Sequence, residues 1–203
     1  MNSKEPLEEY KKKRDFNTTP EPSGELGGTS DDPIFVVQKH DASNLHYDLR
    51  LESDGVLKSW AVPKGPSMDP KVKRLAIPTE DHPMAYADFE GVIPEGHYGA
   101  GTVIVWDSGT FQNTKGADAS FAENLDEGHA TIRLEGTKLL GDFALIRTKR
   151  GGNRPQWLFF KMKDEYADPG SDIISEKPNS SKTGRSLEEV TEQETPSDLS
   201  DFE

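Results

Sequence analysis

No cysteine occurs anywhere in the 203 residues. That excludes disulfides, zinc–thiolate centres and thiol nucleophiles, and leaves histidine and carboxylates to hold any metal. Long apolar runs are also missing. The longest, such as "VIVW" and "WLFF", are four residues each, whereas a spanning helix needs about 20. The opening stretch, "MNSKEPLEEYKKKRDF", has no apolar core of the kind that marks a secretory signal. These absences predict a soluble, cytoplasmic protein with no membrane partner, expected to act as a monomer.

Hydrophobic residues make up only 32% of the chain, against roughly 45–50% (glycine included) in an ordinary globular protein. The shortage is uneven. Residues 164–203 carry 12 acidic and 3 basic side chains, and residues 1–163 carry 25 and 21. The acidity therefore belongs mostly to the tail, and the remainder is nearly balanced. From 166 to 203 the sequence is polar and almost free of aromatics. Such a segment cannot bury enough apolar surface by itself to offset its ordering entropy, so it is expected to be a disordered acidic tail.

Between these ends, short β-prone runs follow one another at 34–40, 45–53, 56–62, 73–78, 101–106, 130–135, 139–147 and 156–163. Turn signals such as "SDG" (53–55) and "WDSG" (106–109) separate many of them. Only residues 7–14 and 119–126 read as helix. The pattern predicts a mainly β fold: a closed or nearly closed β-barrel of about eight strands with one or two short helices, or a sandwich. It would occupy residues 34–165, with residues 1–33 as an N-terminal helix and loop.

The chemistry concentrates in "VVQKHDASNLHYDLRLES", residues 36–53. Side chains alternate across a strand, so His46, Asp48 and Arg50 share one face, and Tyr47, Leu49 and Leu51 share the apolar one. The polar break "DASN" can turn the chain and fold His40 back beside His46. Two imidazoles and a carboxylate suit a divalent first-row metal and leave coordination positions open, as catalysis requires. Arg50, one pleat further on, suits an anionic oxygen such as phosphate. A solvent-facing strand alternates in the same way, so this stretch alone leaves both readings open. "IPTEDHPMAYADFEG" (77–91) adds His82 and Tyr86, and Lys64 and Arg74 add cations near strand ends, where a barrel mouth would gather them. His97 and His129 read as structural.

Six ordered blocks, "RDFNTTPEP", "FVVQKHDASNLHYDLRLE", "WAVPKGPS", "TEDHPMAYADFEG", "IPEGHYGAGTVIVWDSGT" and "WLFFKMKDEYA", together resemble the 3'-phosphoesterase domain of bacterial DNA ligase D, expected here in its stand-alone form. The resemblance covers roughly residues 10–167. It implies a β-barrel with small flanking helices. It also implies manganese-dependent healing of DNA 3' ends: removal of a terminal 3'-ribonucleoside, then of the remaining 3'-phosphate, to leave a 3'-hydroxyl. It implies His40, His46 and Asp48 as metal ligands and Arg50, His82 and Tyr86 around the scissile phosphate, with Arg14, Asp15, Glu21, Lys64, Arg74 and Glu80 at further functional positions. In this reading His82 is the candidate general acid, and the segment from Arg14 folds over the site. The metal is expected to be Mn2+, although a His/carboxylate site also accepts Co2+, Zn2+ or Cu2+. The substrate is the 3' end of a DNA or RNA-tipped primer-template. A separate ligase, polymerase or end-binding protein is the expected partner in double-strand break repair by non-homologous end joining.

Two other classes compete. His46-x-Asp48 with a distal His129, and Arg133 for a keto acid, would make an Fe(II)/2-oxoglutarate-type oxygenase. A non-catalytic nucleic-acid or repair scaffold would need cations and stacking aromatics rather than a metal triad.

Overall fold

The structure, a computed structural model, describes residues 5–28, 30–116, 119–149 and 155–194. Its strands are β1 (Ile34–Asp41), β2 (Leu45–Ser53), β3 (Val56–Val62), β4 (Arg74–Pro78), β5 (His82–Pro83), β6 (Gly91–Ile93), β7 (Gly101–Asn113), β8 (His129–Gly136), β9 (Leu140–Thr148) and β10 (Gln156–Lys161). Eight of them close an antiparallel barrel in the order β1-β2-β3-β4-β10-β9-β8-β7, and β7 pairs back onto β1. β5 and β6 are short additions to β3 and β7. The expected barrel is present.

Alternation fixes what lies inside. One apolar cluster takes residues from all eight barrel strands, including Phe35, Leu49, Trp60, Ala76, Trp106, Leu134, Phe143 and Phe159. The lumen is therefore packed with side chains, as small barrels are. Leu49 and Leu51 point into it, so their neighbours His46, Asp48 and Arg50 lie on the outer wall. The spacing predicts a site at a barrel mouth. The structure puts it instead on the outside of β1–β3, beneath the segments 10–21 and 79–99.

Two turn signals resolve differently. "SDG" is the β2–β3 hairpin, with Asp54 and Gly55 both at positive φ (51° and 77°). "WDSG" is not a turn, because β7 runs through it. A bulge skips the pairing opposite Val37/Gln38. The buried Asp107 accepts backbone N–H bonds from Thr137, Lys138 and Leu139. A side chain at Gly109 would meet the Glu135 carbonyl at 2.1 Å, so glycine here permits close strand approach rather than reversal.

The helices are α1 (Glu8–Lys12), α2 (Phe121–Glu127), α3 (Ile173–Glu176) and α4 (Leu187–Glu194). A Ser120/Glu123 capping box starts α2, and Gly128 ends it at φ 82°. The last two helices correct the expectation of a disordered tail from 166 onward. Ile173 joins the main apolar cluster, and Leu187 and Val190 pack on Ile104 of β7. Trp106 Nε1 donates to the Lys177 carbonyl at 2.7 Å. The buried Glu90 carboxylate accepts from Ser180, Thr183 and Arg185. Composition counts what a segment can bury by itself, and here the barrel wall supplies the partner surface. Residues 195–203 of that tail lie outside the described residues.

Candidate active site

The "DASN" break turns β1 into β2 so that His40 and His46 are direct cross-strand partners, their ring centroids 4.8 Å apart. Asp48, two residues along, lies on the same face. Its carboxylate oxygens stand 3.6 Å from His40 Nδ1 and 3.6 Å from His46 Nε2. The other nitrogen of each ring is occupied by a carbonyl: His40 Nε2 at 2.7 Å from Gly99 O, and His46 Nδ1 at 2.8 Å from Asn44 O. Carbonyls only accept, so these nitrogens carry protons, and His40 Nδ1 and His46 Nε2 are the ring atoms turned toward the carboxylate. Three ligand atoms, all within 4.8 Å of one another, thus converge on one point. A cation between the ring nitrogens and the carboxylate, a metal ion or in its absence a proton, satisfies all three. The donor set therefore fits a divalent metal.

Next to this group Arg50 is fully engaged. Its Nε donates to Gln38 Oε1 (2.7 Å), Nη1 to Ser59 Oγ (3.0 Å) and Nη2 to Asp48 Oδ2 (3.3 Å). Arg14 reaches the same cavity from the N-terminal segment. Its Nε donates to Glu21 (2.8 Å), Nη1 to Glu80 (3.2 Å) and to the Tyr10 carbonyl (3.1 Å), and its guanidinium lies 3.9 Å from the Tyr10 ring centroid. Two guanidiniums on one side and three metal-ligand atoms on the other line a cavity of about 310 Å³.

His82 sits between the arginines. Its Nε2 is 3.4 Å from Arg14 Nη2, which can only donate, and its Nδ1 is 2.9 Å from the Glu80 carbonyl. The Glu80 carbonyl asks for a hydrogen on Nδ1, while Arg50 Nη1, 3.0 Å from the same atom, asks for a lone pair there, so the two guanidiniums favour the neutral ring without fixing its tautomer. Burial, with Arg50 and Arg14 adding to it, pushes His82 well below the ordinary histidine value. Burial would raise the Asp48 carboxyl, but the charge of Arg50 and the two imidazoles outweigh it and hold Asp48 well below the ordinary carboxylate range. Asp48 in turn raises His46. Burial, reinforced by Glu21, raises Tyr86 well above the ordinary phenol value, and its hydroxyl donates to Glu21 at 2.8 Å.

The structure therefore gathers His40, His46, Asp48, Arg50, His82, Tyr86, Arg14 and Glu80 around one cavity. Glu21 stands behind it, buried against Arg14, Tyr86 and Thr19. Asp15, Lys64 and Arg74 do not line it. Asp15 is exposed and closes its own turn by accepting from Asn17. Lys64 is exposed in the turn after β3. Arg74 opens β4 opposite Phe159, with Nε buried and without a hydrogen-bond partner. The oxygenase reading loses its second histidine. His129 is exposed on β8, three strands round the barrel from β2, and Arg133 is tied to Asp142 and Glu165.

Four contributors escape the sequence-level reading. Gln38 has a signal, since it shares the outer-face parity of His40. Buried, it spans Arg50 and the carbonyls of Tyr86 and Phe89. Ser59 and Lys13 have none, and the Gly99 carbonyl is a backbone group.

An eight-stranded barrel carrying a two-histidine, one-carboxylate cluster beside an arginine-lined cavity on its outer wall defines the class: a β-barrel with a candidate metal site on its outer face. The model of the DNA Ligase D 3'-phosphoesterase domain matches residues 38–147, and the chain belongs to that family. It is 52% identical over 191 residues to the "Multifunctional non-homologous end joining protein LigD" of Pseudomonas aeruginosa, covering 92% of this chain and 22% of that protein. It is 46% identical over 160 residues to the "Multifunctional non-homologous end joining DNA repair protein LigD" of Mycobacterium tuberculosis, covering 78% and 20%. The chain thus spans about a fifth of the length of these relatives. Among the described residues, no helix is long and apolar enough to cross a membrane.

Proposed function

We propose that this protein is a metal-dependent phosphoesterase that heals DNA 3' ends. It removes a 3'-terminal ribonucleoside and then the 3'-phosphate, leaving a 3'-hydroxyl for repair synthesis or ligation. The described residues of 34–165 form the catalytic barrel, and those of 1–33 form its cover. The observation that carries the reading is the contact between Arg50 and Asp48, 3.3 Å apart, which joins a phosphate-binding cation to a metal-ligating carboxylate. Membership of the family supports the reaction class, and relatives named for non-homologous end joining support the setting.

His40, His46 and Asp48 would hold Mn2+, with Co2+, Zn2+ or Cu2+ as other fits to the same donors. Bound there, the ion supplies Lewis-acid stabilisation of phosphoryl charge. The remaining work belongs to side chains. Arg50 and Arg14, fixed by Gln38, Ser59, Glu21 and Glu80, bind phosphoryl oxygens without reorganising. In both steps water adds to phosphorus and the P–O bond to the departing oxygen breaks. That oxygen is the 5'-oxygen of the ribonucleoside in the first step and the 3'-oxygen of the strand in the second. Burial and the two guanidiniums keep His82 neutral in the free site. A phosphate bound in the cavity beside them adds negative charge that opposes the arginines' share of that effect and favours a proton on His82, to be handed to the departing oxygen. Tyr86 and Glu21 hold the arginine side of the cavity in register.

The test is a matrix of metals against substrates: primer-templates ending in a 3'-phosphate or a 3'-monoribonucleotide, with His46→Ala as control. Mn2+-dependent release of phosphate, and conversion of the ribonucleotide end, both absent in the variant, are expected. Turnover that is indifferent to metal and to His46 would remove the proposal.

A further inference from the structure

We propose that Tyr98 is the stacking platform for the nucleobase adjoining the scissile phosphate. This rests on the phosphoesterase reading above and names how the site holds the nucleoside as well as the phosphate.

Six large apolar side chains stand exposed among the described residues: Leu26, Leu45, Leu75, Tyr98, Met162 and Tyr166. Of these, Tyr98 alone borders the cavity of the metal-ligand set, with half of its surface (50%) open. The other cavity-lining aromatic groups are already committed: Tyr86 is buried against Glu21, and His82 lies between the arginines. An open aromatic face beside a polar, cation-lined cavity is what a nucleobase needs, because every base offers a π-face.

The ring is held, not loose. Lys13 Nζ lies 3.4 Å from its hydroxyl and 4.5 Å from its centroid, and the Arg14 guanidinium carbon lies 5.6 Å from the centroid. Its loop is tightened by backbone bonds from His97 N to Pro94 O and from Ala100 N to His97 O, with Gly96 and Gly99 at positive φ (85° and 75°). The next residue, Gly99, gives the carbonyl that fixes His40. One peptide unit therefore separates the ring from the group that orients a metal ligand. A terminal phosphate in the cavity that Arg50 and the ligand set line together has its nucleoside directed to the rim, where Tyr98 stands. Because stacking tolerates any base, this subsite favours no sequence but penalises a terminus without a base.

The experiment compares wild type, Tyr98→Ala and Tyr98→Phe on 3'-phosphorylated primers ending in an ordinary or an abasic nucleotide. Tyr98→Ala is expected to lose about 5- to 150-fold in kcat/KM on the ordinary terminus, chiefly through KM, and almost nothing on the abasic one. Tyr98→Phe should stay close to wild type. Equal losses on both termini would reduce Tyr98 to a support for Lys13 and overturn the proposal, as would no loss at all. A binding measurement separates this proposal from the reaction itself. A 2-aminopurine at the 3'-terminal position should be quenched by wild type and Tyr98→Phe in metal-free buffer, and not by Tyr98→Ala. Quenching with no hydrolysis would keep the platform and sink the phosphoesterase reading. Quenching unchanged in Tyr98→Ala would sink the platform alone.

Discussion

His40 and His46 face each other across the β1–β2 ladder, and each ring is pinned by a backbone carbonyl on the side away from Asp48. The pair is thus preset with its two inner ring nitrogens converging on Asp48. A hairpin is well suited to this, because directly opposed residues must project from the same face.

Metal binding should follow from that preset. Titration calorimetry on the metal-free protein should show Mn2+ binding that is weakened by more than about 100-fold in His46→Ala and in Asp48→Asn, since ligands matter more than the outer partners whose loss costs 10–100-fold. Bound metal should also stabilise the wild type, by about 2.7 kcal/mol at a hundredfold excess over Kd, and a chelator should reverse this. Equal affinity in the variants would place the ion elsewhere.

Arg14 is the clamp between the N-terminal segment and the barrel, buried with Glu21 and Glu80. Arg14→Ala strands the buried Glu21 carboxylate and leaves Glu80 with Lys13 alone, and breaking such a buried pair costs about 3–5 kcal/mol. Undocking of the segment can relieve part of this. The expected outcome is a lower urea midpoint together with faster proteolysis between residues 5 and 28. An unchanged midpoint and digestion pattern would show that the segment is held by other contacts.

His82 should make stability depend on acidity. Its folded-state pKa lies below its unfolded value through burial and the two arginines. The contribution is therefore complete above about pH 6.5 and is lost as pH falls through that value, because the unfolded chain then binds a proton that the folded chain refuses. His46, raised by Asp48, acts with the opposite sign but is common to both chains compared. Urea unfolding of metal-free wild type and His82→Asn from about pH 8 to pH 5 should show the steeper decline in wild type. Parallel curves would contradict the burial argument.

The C-terminal strap offers a test away from the site. Val190 is fully buried on β7 with Leu187 and Ile104. Val190→Asp forfeits about 1.5–3 kcal/mol of apolar burial before the cost of the charge. Hydrogen exchange should rise across residues 177–194 while the lumen strands stay protected. Unaltered protection in that segment would mean that the Glu90 cluster alone holds it.

Much of this molecule is legible in sequence because its information is local. Period-two alternation gives the eight barrel strands and puts His46, Asp48 and Arg50 on one face. "DASN" returns His40 to His46, and Asp54–Gly55 makes a hairpin through positive φ. Glu21 and Glu80 are recognisable by resemblance, but not their partners, since Arg14 meets Glu80 across 66 residues. "WDSG" misleads because its composition matches a turn, while the Asp107 side chain and the close approach at Gly109 serve a strand.

Local pattern carries the strands themselves and the face shared by His46, Asp48 and Arg50, because each depends on neighbours within a few residues along the chain. Long-range packing settles that the sheet closes through the β7–β1 and β4–β10 pairings, that the site lies on the outer wall, that His82 is neutral between Arg14 and Arg50, and that the polar C-terminal segment docks through Ile173, Leu187 and Val190. Those outcomes turn on which surfaces meet at long range. Burial and charge at a position are set by partners that no local pattern names.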